Sequence, residues 1–347
     1  MEIKQLLRKN IAQMKAYSSA RDEYKDFEQS RIFLDANENP YNTGVNRYPD
    51  PQQISVKKKL AELKGIAERQ ILLGNGSDEV LDLVFRAFCE PNVDNIITLP
   101  PTYGMYDVLA NLNAIENREV VLTNQLQPNL EGILSQIDAN TKIIFICSPN
   151  NPTGNTFSEK SIEVVLKGFN GLVVVDEAYI DFSDKESWLK KIEEYPNLII
   201  AQTLSKAYGL AGIRLGVLYA SEEIITILNK IKPPYNVNVL TQSKALEQLN
   251  NNEQVITQVA RIKRQREVII KQLLEVNFVN NVVPSDANFL LVKVDDADRR
   301  YNQLLNKGIV VRNRSTQPLC DNCIRITIGT EEENSQLINA LKSIQND

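Results

Sequence analysis

Between Ile71 and about Tyr219, short runs of β-branched and aliphatic residues alternate with longer stretches whose apolar positions return every three or four residues. The runs at 71–73, 96–99, 120–122, 142–147, 172–175, 198–203 and 215–219 predict strands. Over 77–88, Val80, Leu81, Val84, Phe85 and Phe88 fall on one face of a predicted helix. Strands alternating with helices at this spacing predict an α/β fold, a mostly parallel sheet covered on both faces, with its site at the strands' C-terminal ends. The texture changes after Pro233-Pro234, where a charged, helix-compatible stretch over about 239–276 carries a polar interruption at Asn250-Asn251-Asn252. A smaller α+β unit follows. The expected division is an N-terminal arm with part of the small domain (1–45), a large domain (46–240), and a linking helix with the C-terminal small domain (241–347).

Composition narrows the chemistry. The 347 residues are 43% hydrophobic and 24% charged, as in a soluble globular protein. With 39 basic and 44 acidic side chains the net charge is −5, which argues against nucleic acid or an anionic membrane as partner. Histidine is absent, which excludes Ser-His-Asp and Cys-His catalysis, histidine zinc sites and HExxH proteases. Proton transfer near neutral pH must use another group with a shifted pKa. The N-terminus mixes charges without an apolar core, and apolar runs such as 143–147 are too short for a bilayer, so a cytoplasmic protein is expected. Cys320 and Cys323 form a CxxC, but Cys89 and Cys147 are isolated and the strand-like run 324–328 follows directly. That pattern reads as a loop, and no metal site is expected.

Several segments carry chemistry at predicted strand ends. Gly74-Asn75-Gly76-Ser77-Asp78-Glu79 joins a strand to a helix and suits an anion at backbone N–H groups, though Glu79 stands where a dinucleotide fingerprint has a third glycine. Ser148-Pro149-Asn150-Asn151-Pro152-Thr153-Gly154 is a constrained loop able to hold an amide side chain. Asp176, followed by Glu177, Ala178 and Tyr179, ends a buried run and needs a cation or donor. Thr203-Leu204-Ser205-Lys206, with Gly209, Gly212 and Arg214 behind it, suits a lysine that forms a Schiff base. Together with Tyr103 as a stacking aromatic, these pieces match what a pyridoxal 5'-phosphate site requires.

These segments, with Lys15-Ala16-Tyr17, Asp35-Ala36-Asn37-Glu38-Asn39-Pro40, Asn46-Arg47-Tyr48-Pro49-Asp50 and the closing Arg325-Ile326-Thr327-Ile328-Gly329-Thr330, make the chain resemble the histidinol-phosphate aminotransferases, within the fold-type I pyridoxal-phosphate enzymes, nearly end to end. The resemblance implies a seven-stranded, mostly parallel sheet with a smaller α+β domain. It implies that Lys206 forms the internal aldimine and shuttles the proton, that Asp176 pairs with the ring nitrogen, and that Tyr179 and Asn151 bond the ring oxygen. Tyr103 would stack on the ring. Gly76, Ser77, Asp78, Thr203, Ser205 and Arg214 would hold its phosphate, joined by Tyr48 across a homodimer interface. Arg325 would bind the carboxylate of 2-oxoglutarate or glutamate, Arg312 the phosphate of L-histidinol phosphate, and Tyr17 and Asn37 would add substrate contacts. Ala16 replaces the family's usual proline beside Tyr17.

The alternatives on the same scaffold are an aromatic amino-acid aminotransferase and a threonine-phosphate decarboxylase-like lyase. A ligand-sensing regulator would need a DNA-binding module for which this chain has neither spare length nor a basic patch.

Overall fold

The computed structural model describes residues 2–17 and 32–344. Its larger sheet contains β1 (Ile71–Asn75), β2 (Asn95–Thr98), β3 (Glu116–Glu119), β4 (Thr141–Cys147), β5 (Leu172–Asp176), β6 (Leu198–Thr203) and β7 (Leu215–Ala220). Their order is β1-β7-β6-β5-β4-β2-β3. Strands β3, β2, β4, β5 and β6 pair in parallel, whereas β7 runs antiparallel to both β6 and β1. The fold is thus the mostly parallel α/β arrangement that the alternating pattern predicts.

Period-two alternation divides the sheet's residues between two cores. Ile143, Phe145, Leu172, Val174, Ile199 and Ala201 face one side, with Val80, Leu81, Val84, Phe85 and Phe88 of α3 (Gly76–Phe88). The same core takes in Tyr106 and Leu109 from α4 (Met105–Leu112). The N-terminal segment, with the short α1 (Lys9–Gln13), lies on this side, where Ile3 is buried and Arg8 N–H donates to Ala87 O at 3.1 Å. Ile144, Ile146, Val173, Val175, Leu198 and Ile200 face the opposite core, with α2 (Ile54–Lys64), α5 (Leu130–Gln136) and α6 (Glu159–Gly168). Burial on both faces explains why the central strands read as continuous apolar runs. After α7 (Glu222–Ile231), α8 (Val239–Asn250) stops and α9 (Asn252–Leu273) starts at the polar patch, where the sequence predicts an interruption.

One strand differs from expectation. The run 120–122 predicts a strand, but β3 is Glu116–Glu119, immediately before it. Parallel pairing with β2 selects the charged segment, and charge suits an exposed sheet edge. Val120 and Leu122 leave the ladder to fill the core, their N–H groups bonding Thr98 O at 2.9 Å and Pro100 O at 2.8 Å.

The smaller sheet is antiparallel, in the order β10-β11-β9-β8. It comprises β8 (Val279–Val282), β9 (Phe289–Val294), β10 (Arg312–Asn313) and β11 (Cys323–Thr327). Leu290, Val292, Ile324 and Ile326 pack with the end of α9 and with α10 (Ala297–Asn306) and α11 (Glu331–Ser343). Cys320 and Cys323 are buried free thiols, and no metal-binding cluster occurs among the described residues. No helix among them is long and apolar enough to cross a membrane.

Candidate active site

The C-terminal ends of β4, β5 and β6 meet the N-terminus of α3 at a cleft of about 120 Å³. Ser77, Asp78, Tyr103, Asn151, Asp176, Tyr179, Thr203, Ser205, Lys206 and Arg214 all line it. A wider groove of about 730 Å³ lies elsewhere, beside Asp184, Glu186 and Lys191. Most of its charges are already paired, Lys190 with Glu186, Lys191 with Glu159 and Glu163, and Asp184 with Lys263.

Asp176 sits at the last position of β5 and points toward α4, on the same side as Leu172 and Val174. Tyr106 OH donates to its Oδ2 at 2.7 Å and Ala178 N–H to its Oδ1 at 3.0 Å. Burial nevertheless raises its pKa, because two donors do not replace water around a carboxylate. Glu177 points to the opposite core, accepting from Trp188 N–H at 2.7 Å and from Gln202 Nε2 at 2.9 Å. Burial pushes its carboxyl up to about 7.

Lys206 follows β6 and opens into the cleft, its Nζ 5.7 Å from the centre of the Tyr179 ring. Loss of hydration lowers its amine pKa, and the Arg325 charge lowers it further, while Asp176 opposes the shift. Thr203 is buried, and its Oγ1 accepts from Ser205 N–H at 3.1 Å, which sets the backbone leading into Lys206.

The start of α3 forms a cradle. Gly76 has φ +76°, and a Cβ there would stand 2.6 Å from Arg214 Nη2. A Cβ at Gly216 would meet Ser77 N at 2.3 Å, so only glycine lets β7 approach the helix terminus this closely. Asp78 ties the walls together, accepting from Tyr103 OH at 3.0 Å and lying 3.7 Å from Arg214 Nη2. Glu79 turns back to accept from Asn75 N–H and from Asn236 Nδ2 at 3.0 Å, the local reason for a carboxylate where a nucleotide loop has glycine.

From the smaller sheet, Arg325 Nη1 donates to Asn151 Oδ1 at 2.5 Å, and its guanidinium lies 5.3 Å from the Phe289 ring. Arg312 is exposed and opposite Arg325 in the β10–β11 register. Within one chain, Tyr48 and Asn37 line a different surface cleft, where Tyr48 stacks on Tyr235 at 4.4 Å. Tyr17 is exposed, and residues 18–31 of the expected arm lie outside the described residues.

Sequence reasoning missed three contributors. Tyr106 lies one helical turn after Tyr103, a spacing that signals a shared face. Gly216, two residues after Arg214, is a glycine inside a strand pattern, a sign of close backbone approach. Asn150, fully buried, donates to Pro101 O and Thr153 Oγ1, both at 2.8 Å, and holds the loop that presents Asn151; only its doubling in the Asn-Asn pair hints at it.

The set fits pyridoxal phosphate on chemistry alone. An amine with lowered pKa suits an aldehyde, a buried carboxylate suits a protonated ring nitrogen, and a helix N-terminus beside an arginine suits a phosphate. Comparison with known proteins agrees. The family model for aminotransferase class I and II matches residues 21–341. The chain is 66% identical to a histidinol-phosphate aminotransferase of Flavobacterium johnsoniae over 98% of each chain. Its fold is similar to the crystal structure of the histidinol-phosphate aminotransferase from Clostridium acetobutylicum, with 26% identity, 87% of this chain and 92% of that one covered, and a TM-score of 0.81. The Sinorhizobium meliloti enzyme in complex with pyridoxal-5'-phosphate shares the fold at 23% identity and TM-score 0.79, covering 86% of this chain and 83% of that one. The chain therefore belongs to the class I and II aminotransferases and, within them, to the histidinol-phosphate aminotransferase family.

Proposed function

We propose that this protein moves the amino group of L-histidinol phosphate to 2-oxoglutarate, giving imidazole-acetol phosphate and L-glutamate, in a ping-pong cycle of cytoplasmic histidine biosynthesis. The observation that carries this reading is the meeting of Lys206, Asp176 and the α3 N-terminus at one cleft, in a chain so similar to a named aminotransferase.

Pyridoxal phosphate, bound there, supplies an aldehyde to receive the amino group and a ring that takes up the electron pair released at the substrate carbon. The chain's own residues do the remaining work. Lys206, with its lowered pKa, takes the proton from the amino-bearing carbon and holds it for return. Asp176 offers a desolvated carboxylate to the ring nitrogen, oriented by Tyr106 and Ala178. Tyr179 and Asn151 bond the ring oxygen, and Tyr103, tethered by Asp78, supports the ring face. Gly76, Ser77 and Asp78 offer backbone at the helix start to the cofactor phosphate, with Thr203, Ser205 and Arg214. Arg325 and Arg312 bind the substrate anions, and Tyr17 and Asn37 add contacts.

Val45, Val239 and Leu240 are exposed and line the same cleft as Tyr48. An apolar patch of this kind supports a homodimer in which Tyr48 reaches the partner's cofactor phosphate.

The test is a half-reaction. Holo-protein is mixed with L-histidinol phosphate, phenylalanine or threonine phosphate without an oxo acid, and cofactor absorbance is followed. Conversion to the pyridoxamine form chiefly by histidinol phosphate supports the reading. Conversion by phenylalanine alone, or carbon dioxide release from threonine phosphate, overturns it.

A further inference from the structure

The β10–β11 register sets Arg312 opposite Arg325 and Asn313 opposite Ile324. The ladder continues one residue further, since Arg314 N–H donates to Cys323 O at 2.8 Å. Period-two alternation then puts Arg312 and Arg314 on the face that carries Arg325, while Ile324 and Ile326 face the small-domain core. Arg314 is half-buried, and its Nε is buried without a hydrogen-bond partner. The side chains whose charge acts on Arg314 are Arg312, Cys320 and Tyr179, with no carboxylate among them. Arg314 is near enough for its charge to act on Tyr179 and on Arg325, the residues that flank Lys206.

We propose that Arg314 is a third guanidinium of the substrate-anion site and sets its preference for a phosphate dianion over a carboxylate. The inference rests on the function proposed above and deepens it. Three like charges on one face repel one another, and an oxyanion placed among them relieves that repulsion. A phosphate monoester carries about 1.5 to 2 negative charges at pH 7 and offers three acceptor oxygens, so it gains more from an added planar donor than a carboxylate does. The substrate of one half-reaction bears a phosphate and that of the other bears only carboxylates. Arg314 therefore separates the two.

The experiment compares wild-type holoenzyme with Arg314→Gln and Arg314→Lys. It reads kcat and KM for L-histidinol phosphate and for 2-oxoglutarate, and competitive inhibition by inorganic phosphate, between pH 5.5 and 8. Arg314→Gln is expected to raise the histidinol-phosphate KM and the phosphate inhibition constant by about tenfold, and the 2-oxoglutarate KM by less than about threefold, with kcat within about threefold. The rise of the wild-type KM below about pH 6, where the phosphate takes up its second proton, becomes shallower in this variant. Arg314→Lys keeps the charge without the fork and falls between the two; it also decides the matter if the Gln variant does not fold. Equal changes in both KM values, or none, overturn the proposal. Should wild type fail to turn over histidinol phosphate, the function is wrong, and phosphate affinity still judges Arg314 as an anion ligand: an unchanged value in the variants removes it from that role.

Discussion

Arg325 of the smaller sheet donates through Nη1 to Asn151 Oδ1, at the end of the larger sheet, across 2.5 Å. The bond joins a residue assigned to the substrate carboxylate with one assigned to the cofactor oxygen. Under that assignment an entering carboxylate would compete for the same guanidinium and redirect a contact that spans the two sheets. Arg325→Lys keeps the charge and loses the planar fork. Its KM for 2-oxoglutarate is expected to rise about ten- to a hundredfold, corresponding to one charge-assisted hydrogen bond of about 1.5–3 kcal/mol. Steady-state kinetics with varied 2-oxoglutarate checks this, and an unchanged KM removes Arg325 from that role.

Lys206→Ala is expected to retain bound pyridoxal phosphate through the α3 cradle while losing nearly all turnover. Cofactor content after gel filtration and single-turnover absorbance measure the two separately. Full activity in the variant refutes the proton-transfer role.

Tyr106→Phe removes the hydroxyl that donates to Asp176 Oδ2. Burial already raises the Asp176 pKa, and the lost donor raises it further. A raised carboxylate pKa means protonation at higher pH, so the acid limb of the half-reaction's pH profile should shift to higher pH. The cofactor should bind about ten- to a hundredfold more weakly, for a lost bond to charge of about 1.5–3 kcal/mol. A superimposable pH profile would falsify the orienting role of Tyr106.

Glu177 predicts a stability effect apart from catalysis. Its folded pKa of about 7 lies above the ordinary 4.5, so the folded state binds the extra proton. The contribution is fully present below about pH 4.5 and is lost as pH rises through 7, by about 3 kcal/mol in all. Glu177→Gln keeps an acceptor for Trp188 N–H without the charge. Denaturant melts should show the variant gaining on wild type from pH 5 to pH 8, and a constant difference would contradict the shift.

Subunit mixing tests the assembly. Tyr48→Ala and Lys206→Ala proteins, each nearly inactive, should regain part of the wild-type rate after joint unfolding and refolding, because one site of the mixed dimer then has both residues. No recovery, with dimers present by light scattering, means that Tyr48 acts within its own chain or not at all.

The residues at strand ends were legible because each segment carries its own signal: an apolar run, then a constrained loop, then the functional side chain. Asn151 and Lys206 follow this form, Asp176 closes its apolar run directly as the last residue of β5, and all three line the cleft. Contacts between distant segments were not legible. Tyr106 lies 70 positions from Asp176, and nothing local in either segment names the other. Gly216 is needed only because Ser77 N would lie 2.3 Å from a Cβ, a fact of packing. At β3, hydrophobicity pointed to 120–122, whereas pairing used the charged residues before them, since an edge strand is chosen by backbone partners and need not be apolar.

The reversal of β7 has a consequence for how the cleft holds its shape. In an all-parallel sheet, the first residue of each strand lies at the far edge from the site. Because β7 runs against β6, the segment from Leu204 to Arg214 leaves the cleft and returns to it, bringing Lys206 and Arg214 to the same mouth. The amine that would bond the cofactor and the guanidinium that would hold its phosphate are therefore set apart by one continuous stretch of backbone, and their spacing survives any hinge between the two sheets.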